Sequence, residues 1–210
     1  MKLTAKIKPV PKMTAKFKEL KMPLSGGFEE GYNQGYAEGV ASVPDFLGMR
    51  ISNTLTEYEN DKVNTIADYA FYYCNKLKTV AFPSCTHVGS YAFQYCSALK
   101  EVNFPLAASV GGTYSYSFSR CTNLEKADFG CVESIGGYAF QLCNALKTLI
   151  IRTPTVCALQ GVSAINSSAI NSGKGYIYVP DNLVEQYKVA TNWATFAAQI
   201  KPLSELETSV

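Results

Sequence analysis

The chain has 210 residues, of which 47% are hydrophobic, and a formal net charge of +2. This composition predicts a folded domain with a sizeable core. The charge is uneven, because residues 1–22 carry seven lysines and one glutamate whereas the rest of the chain is net acidic. The main domain therefore lacks the positive charge of a nucleic-acid-binding protein. No stretch approaches the roughly 18 apolar residues of a membrane-spanning helix. The first residues lack the apolar core of a secretory signal, so we expect the chain to be cytoplasmic at synthesis.

Residues 1–22 contain two short copies of one pattern, LTAKIKPV from Leu3 and MTAKFKEL from Met13. In each copy apolar residues alternate with polar ones, which predicts a basic β-hairpin with its lysines on the wet face. Pro9 and Pro11 lie between the copies and favour a turn. A lone hairpin is marginally stable in water, so we expect it to need a partner surface. Its charge suits either a solvated face or an anchor on an acidic partner.

Residues 23–45 contain glycines and large apolar residues that each recur every four positions. On a helix these two sets form adjacent stripes, one bare and one mostly aromatic. Four glycines cost an isolated helix roughly 3–4 kcal/mol relative to alanine, so such a helix must pack closely, for example against its own copy in an oligomer. A flexible linker is the alternative. The residues predicted to mediate attachment or oligomerisation are Phe28, Gly31, Tyr32, Gly35, Tyr36 and Gly39.

Residues 46–180 are predicted to form a stacked solenoid. One pattern, written YAFYYCNKLKTVAF in its first copy, starts at Tyr69, Tyr91, Tyr116 and Tyr138. A period of 22 to 25 residues is typical of repeats that bury their apolar faces only against one another. Residues 46–65 are predicted to form a capping coil with a strand over residues 54–58. A degraded fifth copy, with Ser163-Ala164-Ile165 in place of Tyr-Ala-Phe, is followed by a last strand from Tyr176.

Each full copy contains two predicted elements. The segment LKTVAF and its equivalents have apolar first, fourth and sixth positions, which favours a short strand in a parallel sheet of about six strands. Pro83 and Pro105 directly follow two of these strands, where proline fits because it cannot extend a ladder. The piece YAF-x-x-C is predicted to form a helical turn on the other side of the coil. The strand residues predicted to face inward are Val80, Val102, Ala127 and Leu149.

The alternate strand positions are predicted to form a concave, outward-facing surface. In stacked coils equivalent residues lie one strand apart, which places Glu125 between Lys100 and Lys147. These charges either satisfy one another in solvent or form a surface that binds a protein or glycan ligand. The predicted ligand-binding residues are Lys78, Thr79, Ala81, Lys100, Glu101, Asn103, Glu125, Lys126, Asp128, Lys147, Thr148 and Ile150.

The cysteines follow the repeat rather than a disulfide pattern. Four of them occupy one repeat position (Cys74, Cys96, Cys121 and Cys143), and we also align Cys85 with Cys131. Equivalent residues of stacked coils are about 4.8 Å apart with parallel side chains, whereas a disulfide requires Cβ atoms about 3.8 Å apart and a strong twist. We therefore predict a ladder of buried, reduced thiols. No C-x-x-C pair occurs, so we predict neither a metal site nor a cofactor.

Residues 181–210 are predicted to form a helical cap. Asp181 is the predicted cap of a short helix that runs through Val189. A second helix, carrying Trp193 and Ile200 at helical spacing, is predicted to end at Pro202. Trp193 is the expected anchor of this cap over the end of the stack.

The repeats resemble the BspA-like leucine-rich repeats, whose unit has the form I-G-x-x-A-F-x-x-C-x-x-L-x-x-V-x-F-P. The second copy matches this unit throughout, at Val88-Gly89, Ala92-Phe93, Cys96, Leu99, Val102 and Phe104-Pro105. The resemblance covers residues 50–206, and the carboxyl-terminal part is similar to the cap of such proteins in gut bacteria and their phages. Ser117 departs from the pattern, which has alanine there. The family implies a non-enzymatic surface or adhesion role.

The sequence contains no convincing catalytic constellation. Its single histidine, His87, aligns with small polar residues at turn positions, and general acid–base catalysis requires a fixed partner. The tyrosine that begins each copy repeats at one site, which favours structural stacking. Tyr72, Tyr73 and Tyr95 are less periodic and are predicted to be exposed contacts.

Two functions suit this organisation. The first is a structural or receptor-binding component of a phage or prophage particle, with residues 1–44 bound to other virion proteins or to a second copy. The second is a bacterial surface adhesin exported without a recognisable signal peptide. Both predict an oligomeric or anchored protein that displays the repeats to a cell surface, without membrane insertion.

Overall fold

Two rows of parallel strands run along the stack of coils. The computed structural model describes residues 56–112 and 115–207. The front row consists of β1 (Glu57–Glu59), β3 (Thr79–Ala81), β5 (Glu101–Phe104), β7 (Lys126–Phe129), β9 (Thr148–Ile151), β11 (Tyr176–Val179) and β12 (Ile200–Pro202). The back row consists of β2 (Thr65–Ile66), β4 (His87–Val88), β6 (Ser109–Val110), β8 (Ser134–Ile135) and β10 (Ala158–Leu159). The back row is one five-stranded sheet, whereas the front row is divided into the pair β1–β3 and a five-stranded sheet.

The register between coils follows the sequence repeat. Val102 pairs with Ala127, and Ala127 pairs with Leu149; all three side chains are buried, as predicted for the inward positions. The solenoid prediction is therefore confirmed. The structure adds the back row, which the sequence analysis did not predict. Its strands are only two residues long, too short for an alternation of apolar and polar residues to be visible.

The YAF-x-x-C segments form successive tight turns, so the prediction of a helical turn is wrong. The Cys74 N–H donates to the Phe71 carbonyl over 3.1 Å, but the Phe71 N–H donates to the Ala92 carbonyl of the next coil over 2.6 Å. In an α-helix this N–H would instead donate to the carbonyl four residues earlier in the same segment. Tyr73 also has a left-handed φ of 64°, which a right-handed helix does not tolerate. The equivalent residues of the later coils share this conformation, namely Tyr95, Arg120, Leu142 and Ser167.

Like side chains stack along the core. The rings of Phe71, Phe93, Phe118 and Phe140 follow one another at centroid distances of 4.9, 5.1 and 5.3 Å. A second row, Phe82, Phe104 and Phe129, has centroid distances of 6.3 and 6.0 Å. All of these rings are buried. Because each inner ring contacts rings of the coils on both sides, the core belongs to the stack rather than to any single repeat.

Ser117, which replaces the alanine of the repeat, is accommodated by hydrogen bonds. It is fully buried. Its hydroxyl donates to the Gly89 carbonyl over 2.8 Å and lies 2.6 Å from the Ser115 hydroxyl. A buried polar group with such partners avoids most of its desolvation cost, so this coil keeps the fold of its neighbours.

The cap after β11 is built from short helices and one strand. It contains 3-10 helices over Asp181–Leu183 and Trp193–Gln199, and the α-helices α1 (Val184–Val189) and α2 (Leu203–Glu207). Trp193 is buried, and its Nε1 donates to the Cys157 carbonyl over 2.6 Å. This contact confirms Trp193 as the anchor of the cap.

Two details of the predicted cap are wrong. The second helix does not continue to Pro202, because Ile200 begins β12 and pairs with Ile177 of the front sheet. Asp181 does not cap the helix that leads to Val189. Its Oδ1 instead accepts a hydrogen bond from the Ser204 N–H over 3.1 Å. Pairing with the sheet therefore overrides the helical spacing in the sequence.

The predicted alignment of Cys85 with Cys131 is also wrong. Cys85 is buried three residues after Phe82, and Val132 is buried three residues after Phe129. Cys131 is one residue out of phase and exposed. The thiol ladder is otherwise confirmed, since none of the seven cysteines forms a disulfide and the remaining six are buried.

Several predictions lie outside the described residues. These are the basic hairpin of residues 1–22, the glycine-rich helix or linker of residues 23–45, and the attachment residues Phe28, Gly31, Tyr32, Gly35, Tyr36 and Gly39. The start of the predicted capping coil, residues 46–55, lies outside them as well.

Candidate functional site

The predicted ligand-binding residues lie on one surface, the outer face of the front row, which we call the front face. Eleven of the twelve are exposed or half-buried, so the alternation read from the sequence is correct for them. The front face has a shallow depression of about 260 Å³. Five of the predicted residues line it: Thr79, Glu101, Asn103, Lys126 and Asp128.

Ile150 is the exception and must be removed from the predicted site. It is fully buried, yet it does not belong to the apolar core cluster. It lies in register with Asp128 on one side and with Tyr178 on the other, and Arg152 follows two positions later on the same face. Ile150 therefore has no exposed surface for a ligand.

Glu125 has the predicted position between two lysines. Its carboxylate accepts a hydrogen bond from Lys147 Nζ over 2.5 Å. This bond and the charge of Lys147, with a smaller contribution from Lys100, lower the pKa of Glu125 below its usual value. The pair is exposed to solvent, where such ion pairs contribute little to stability. The prediction of a self-satisfied charge is therefore confirmed at this position.

Asp128 is paired with a residue that the sequence analysis missed. Arg152 holds it through two hydrogen bonds of 2.9 Å, Nε to Oδ1 and Nη2 to Oδ2. Asp128 lies on β7, and Arg152 directly follows the neighbouring strand β9. The two residues occupy different repeat positions, so a comparison of equivalent positions does not connect them. The fork of the guanidinium fixes the Asp128 carboxylate at the edge of the depression.

Glu101 and Lys126 are next to each other in the register, as predicted. Neither makes an ion pair within the described part of the chain. Together with Asn103 they surround the depression with charged and polar groups that have no described side-chain partner. Such groups remain available for an external ligand.

The front face continues beyond the predicted residues onto the last two strands. Tyr176 is in register with Thr148 and is 40% exposed. Lys201 of β12 has its Nζ 4.6 Å from the Tyr176 ring centroid and forms an ion pair with Glu205 over 2.6 Å. The sequence analysis placed Lys201 in the cap, because β12 was not predicted as a strand.

The tyrosines divide only in part as the sequence predicts, because Tyr73 is the one member of the predicted exposed set that is exposed. Tyr69, Tyr91, Tyr116 and Tyr138 form a stack with centroid distances of 4.7, 5.1 and 4.8 Å, which confirms their structural use. Tyr73 is 52% exposed, whereas Tyr72 and Tyr95 are half-buried. Burial is the main reason that the pKa values of Tyr69, Tyr72 and Tyr91 are raised.

His87 lies in strand β4 rather than in the predicted turn. It pairs with Thr65 and Ser109, which confirms their alignment. Its Nδ1 is 2.5 Å from the Ser109 hydroxyl. Among residues 56–112 and 115–207, no group of three or more His, Cys, Asp or Glu side chains is arranged to hold a metal ion.

The comparisons with known proteins identify the repeat. The family model for the BspA type leucine rich repeat region matches residues 52–172 in six copies. No curated protein matches the chain at a significant level. None of the described helices has the length and apolar composition to cross a membrane.

Leucine-rich repeat domains are in general non-enzymatic modules that bind proteins, and BspA-type repeats are typical of surface proteins. The match covers more than half of the chain, and those of its residues that the structure describes lie in the stacked coils. The chain therefore belongs to the BspA-type leucine-rich repeat family.

Proposed function

We propose that this protein is a non-enzymatic adhesion protein that binds a protein on a cell surface through its front face. The observation that carries the proposal is the depression around Glu101 and Lys126, whose charges lack described ion-pair partners. Other charges on the same face are paired with each other, as in Glu125–Lys147 and Asp128–Arg152. The front face therefore presents one negative and one positive side chain without a described ion-pair partner, on strands whose positions are fixed by the sheet.

A protein partner suits this arrangement. Opposite charges on adjacent strands can meet a complementary pair on a partner, which fixes the register and rejects wrong partners. The backbone that carries these charges is held by a sheet rather than by a loop, so little backbone entropy is lost when a partner binds. A glycan is the competing ligand for the front face, and the experiment below separates the two.

The test exchanges the charges of the depression without changing the net charge. We expect the double variant Glu101→Lys, Lys126→Glu to bind intact bacterial or epithelial cells at least about tenfold more weakly than the natural chain, about 1.4 kcal/mol. The measurement is flow cytometry of fluorescently labelled full-length protein over a concentration series. Both residues lie on the surface, so the variant is expected to keep the thermal stability of the natural chain.

The matched control is the exchange Glu185→Lys, Lys188→Glu. These residues form an exposed ion pair of 2.7 Å in α1 and do not line the depression. The control is expected to bind cells like the natural chain. Equal binding by the front-face variant would overturn the proposal. If the difference between the natural chain and the front-face variant survives protease treatment of the cells, but not periodate oxidation of their glycans, the front face binds a glycan instead of a protein.

We further propose that residues 1–44 attach this binding domain to a carrier, which we take to be a phage or prophage particle. The basic pattern of residues 1–22 and the four-residue glycine period of residues 23–45 support an attachment segment that packs on other virion proteins or on a second copy. The alternative is a bacterial surface adhesin. Mass spectrometry of purified particles and of cell envelopes distinguishes them, because only the first places the chain in particles.

A further inference from the structure

A second candidate binding site lies on the edge of the stack where the YAF-x-x-C turns run. It is a groove of about 330 Å³ between two rows of equivalent residues, and we call it the turn groove. The inner row consists of Asn75, Ser97, Thr122 and Asn144, and the outer row of Tyr73, Tyr95, Arg120 and Leu142. The groove crosses four coils, so it is elongated along the stack and separate from the front face.

The outer row is a continuous wall of side chains. All four residues have left-handed φ angles between 61° and 65°, so their side chains leave the coils in the same direction. The rings of Tyr73 and Tyr95 stack at 4.5 Å, and the Arg120 guanidinium lies 5.3 Å from the Tyr95 ring centroid. This cation–π contact holds the charge of Arg120 at the groove.

The inner row supplies hydrogen-bonding groups at regular intervals. The side chains of Asn75, Thr122 and Asn144 have no hydrogen bond to another described side chain or backbone group. Equivalent positions in neighbouring strands are about 4.8 Å apart. That spacing is close to the length of one sugar residue in an extended glycan, whereas one residue of an extended peptide spans about 3.3 Å.

The backbone at this edge is not available to a peptide strand. The Tyr73 N–H donates to the Gln94 carbonyl over 2.8 Å, and the Tyr95 N–H donates to the Ser119 carbonyl over 3.0 Å. An added peptide strand would require unpaired N–H and carbonyl groups. Recognition at the groove therefore depends on side chains, which suits a ligand with hydroxyl groups of its own.

The charge of the groove indicates what kind of glycan fits. Arg120 is the only charged residue of the lining, and it forms no ion pair with any described carboxylate. A guanidinium binds a carboxylate through two parallel hydrogen bonds. The tyrosine wall adds apolar ring surface together with hydroxyl groups.

We infer that the turn groove binds an extended acidic polysaccharide, with Arg120 holding a uronate carboxylate and the inner row holding sugar hydroxyls. This site is independent of the proposed front face and goes beyond protein binding. It gives the protein a second, glycan-directed contact on the same cell or on its extracellular matrix. The basic residues 1–22 are a competing source of affinity for polyanions, so the test must separate them from the groove.

The test measures binding of oligogalacturonate, oligoalginate and hyaluronan oligomers to the full chain by isothermal titration calorimetry. Cello-oligosaccharides serve as the neutral probe and oligoglutamate as the acidic peptide probe. We expect the full chain to bind at least one of the acidic glycans and to bind the other two probes weakly or not at all. Arg120→Asn is expected to lower that affinity at least about tenfold, and Tyr73→Ala about three- to tenfold.

Asparagine tolerates the left-handed backbone of Arg120, so the variant is expected to fold, and thermal unfolding verifies this. The matched charge control is Lys62→Asn. Lys62 lies in the turn from front strand β1 to back strand β2, whereas the groove residues lie in the turns that lead from a back strand to the next front strand. This variant should bind like the natural chain. The inference is overturned if none of the acidic glycans binds, or if oligoglutamate binds equally well. It is also overturned if Arg120→Asn binds the acidic glycans unchanged, because the lysines of residues 1–22 would then supply the charge.

Discussion

At the scale of single residues, the thiols of the core are protected by both burial and hydrogen bonds. Cys96 donates to the Phe71 carbonyl, Cys121 to the Phe93 carbonyl and Cys143 to the Phe118 carbonyl, over 3.0 to 3.1 Å. Each acceptor belongs to the preceding coil. Burial raises the pKa of Cys96 and Cys121 well above the usual value and raises that of Cys157 to about 12.

These properties predict a selective reaction with thiol reagents. At about pH 8 an ordinary exposed thiol is partly ionised, whereas burial keeps the thiols of Cys96, Cys121 and Cys157 protonated. All six buried thiols are shielded from the reagent. In the native protein we expect Cys131 alone to react rapidly, because it is the exposed cysteine. All seven should react after denaturation. The measurement is a colorimetric thiol titration with mass spectrometry of the labelled peptides. Rapid native labelling of Cys96 or Cys121 would contradict the ladder of buried thiols.

The raised thiol pKa values also predict a loss of stability at alkaline pH. An unfolded cysteine has a pKa of about 8.5, so the unfolded chain releases protons that folded Cys157 retains until its pKa of about 12. Between these two values each such thiol lowers the free energy of unfolding by up to about 1.4 kcal/mol per pH unit. Below about pH 8.5 the contribution is constant, since both states hold the proton.

Urea unfolding under reducing conditions, repeated from neutral to alkaline pH, measures this slope. Cys157→Ala is expected to lower the stability at neutral pH, because it removes a buried side chain, and to reduce the alkaline slope. Cys131→Ala is the control, because this residue is exposed and should leave the slope unchanged. An unchanged slope in Cys157→Ala would mean that this thiol does not titrate differently in the folded and unfolded chains.

At the scale of elements, the phenylalanine rows connect one coil to the next. Phe93 is fully buried and stacks with Phe71 at 4.9 Å and Phe118 at 5.1 Å. It also contacts the second row, with Phe104 at 6.2 Å. Removal of this ring opens the core between three coils at once. The rigid backbone ladders on both sides limit how far the coils can close the gap.

Phe93→Ala is therefore expected to lower the free energy of unfolding by about 3–5 kcal/mol. His87→Ala is the comparison, because this side chain is half-buried and makes one side-chain hydrogen bond, to Ser109. Its loss should cost about 1 kcal/mol or less. Chemical denaturation of the full-length variants measures both values. A larger loss for His87→Ala than for Phe93→Ala would contradict the assignment of the core.

The front strands could be predicted from the sequence because their residues alternate over several positions. The back strands could not, since a pair such as His87–Val88 has no measurable period. The tight turns were missed for another reason. Tyr73 and Tyr95 adopt left-handed backbones, which tyrosine has no intrinsic tendency to do. Hydrogen bonds to the next coil impose this conformation, and they depend on contacts between repeats rather than on local sequence.

The candidate site shows the same division. Rows of equivalent residues were predictable, and they placed Glu101 beside Lys126 correctly. Contacts that cross from one row to another were not predictable. Arg152 reaches Asp128 diagonally, and Ile150 is buried although its position alternates with inward-facing residues. The turn groove was not predicted from the sequence either, because its wall requires the left-handed conformation of Arg120.

At the scale of the whole molecule, aromatic residues cover both ends of the described stack. At the first coil, the Tyr58 ring lies 5.4 Å from Phe71 and 5.3 Å from Phe82. At the last, Tyr187 and Trp193 pack edge to face at 5.4 Å over the end of the core. Terminal coils with covered apolar ends remove the need for a partner chain. The repeats are therefore expected to fold without residues 1–45.

This expectation gives a direct test of the attachment proposal. The predicted hairpin of residues 1–22 is too small to be stable alone, and four glycines weaken a helix over residues 23–45, so both require a surface from another chain. We expect the full chain to form an oligomer, and a shortened chain that begins at Phe46 to be a folded monomer. Light scattering gives the masses, and thermal unfolding verifies the fold of the shortened chain. A monomeric full chain with a protease-sensitive amino end would favour the linker interpretation. An oligomer that persists without residues 1–45 would place self-association in the repeats themselves and contradict the division into an attachment segment and a recognition domain.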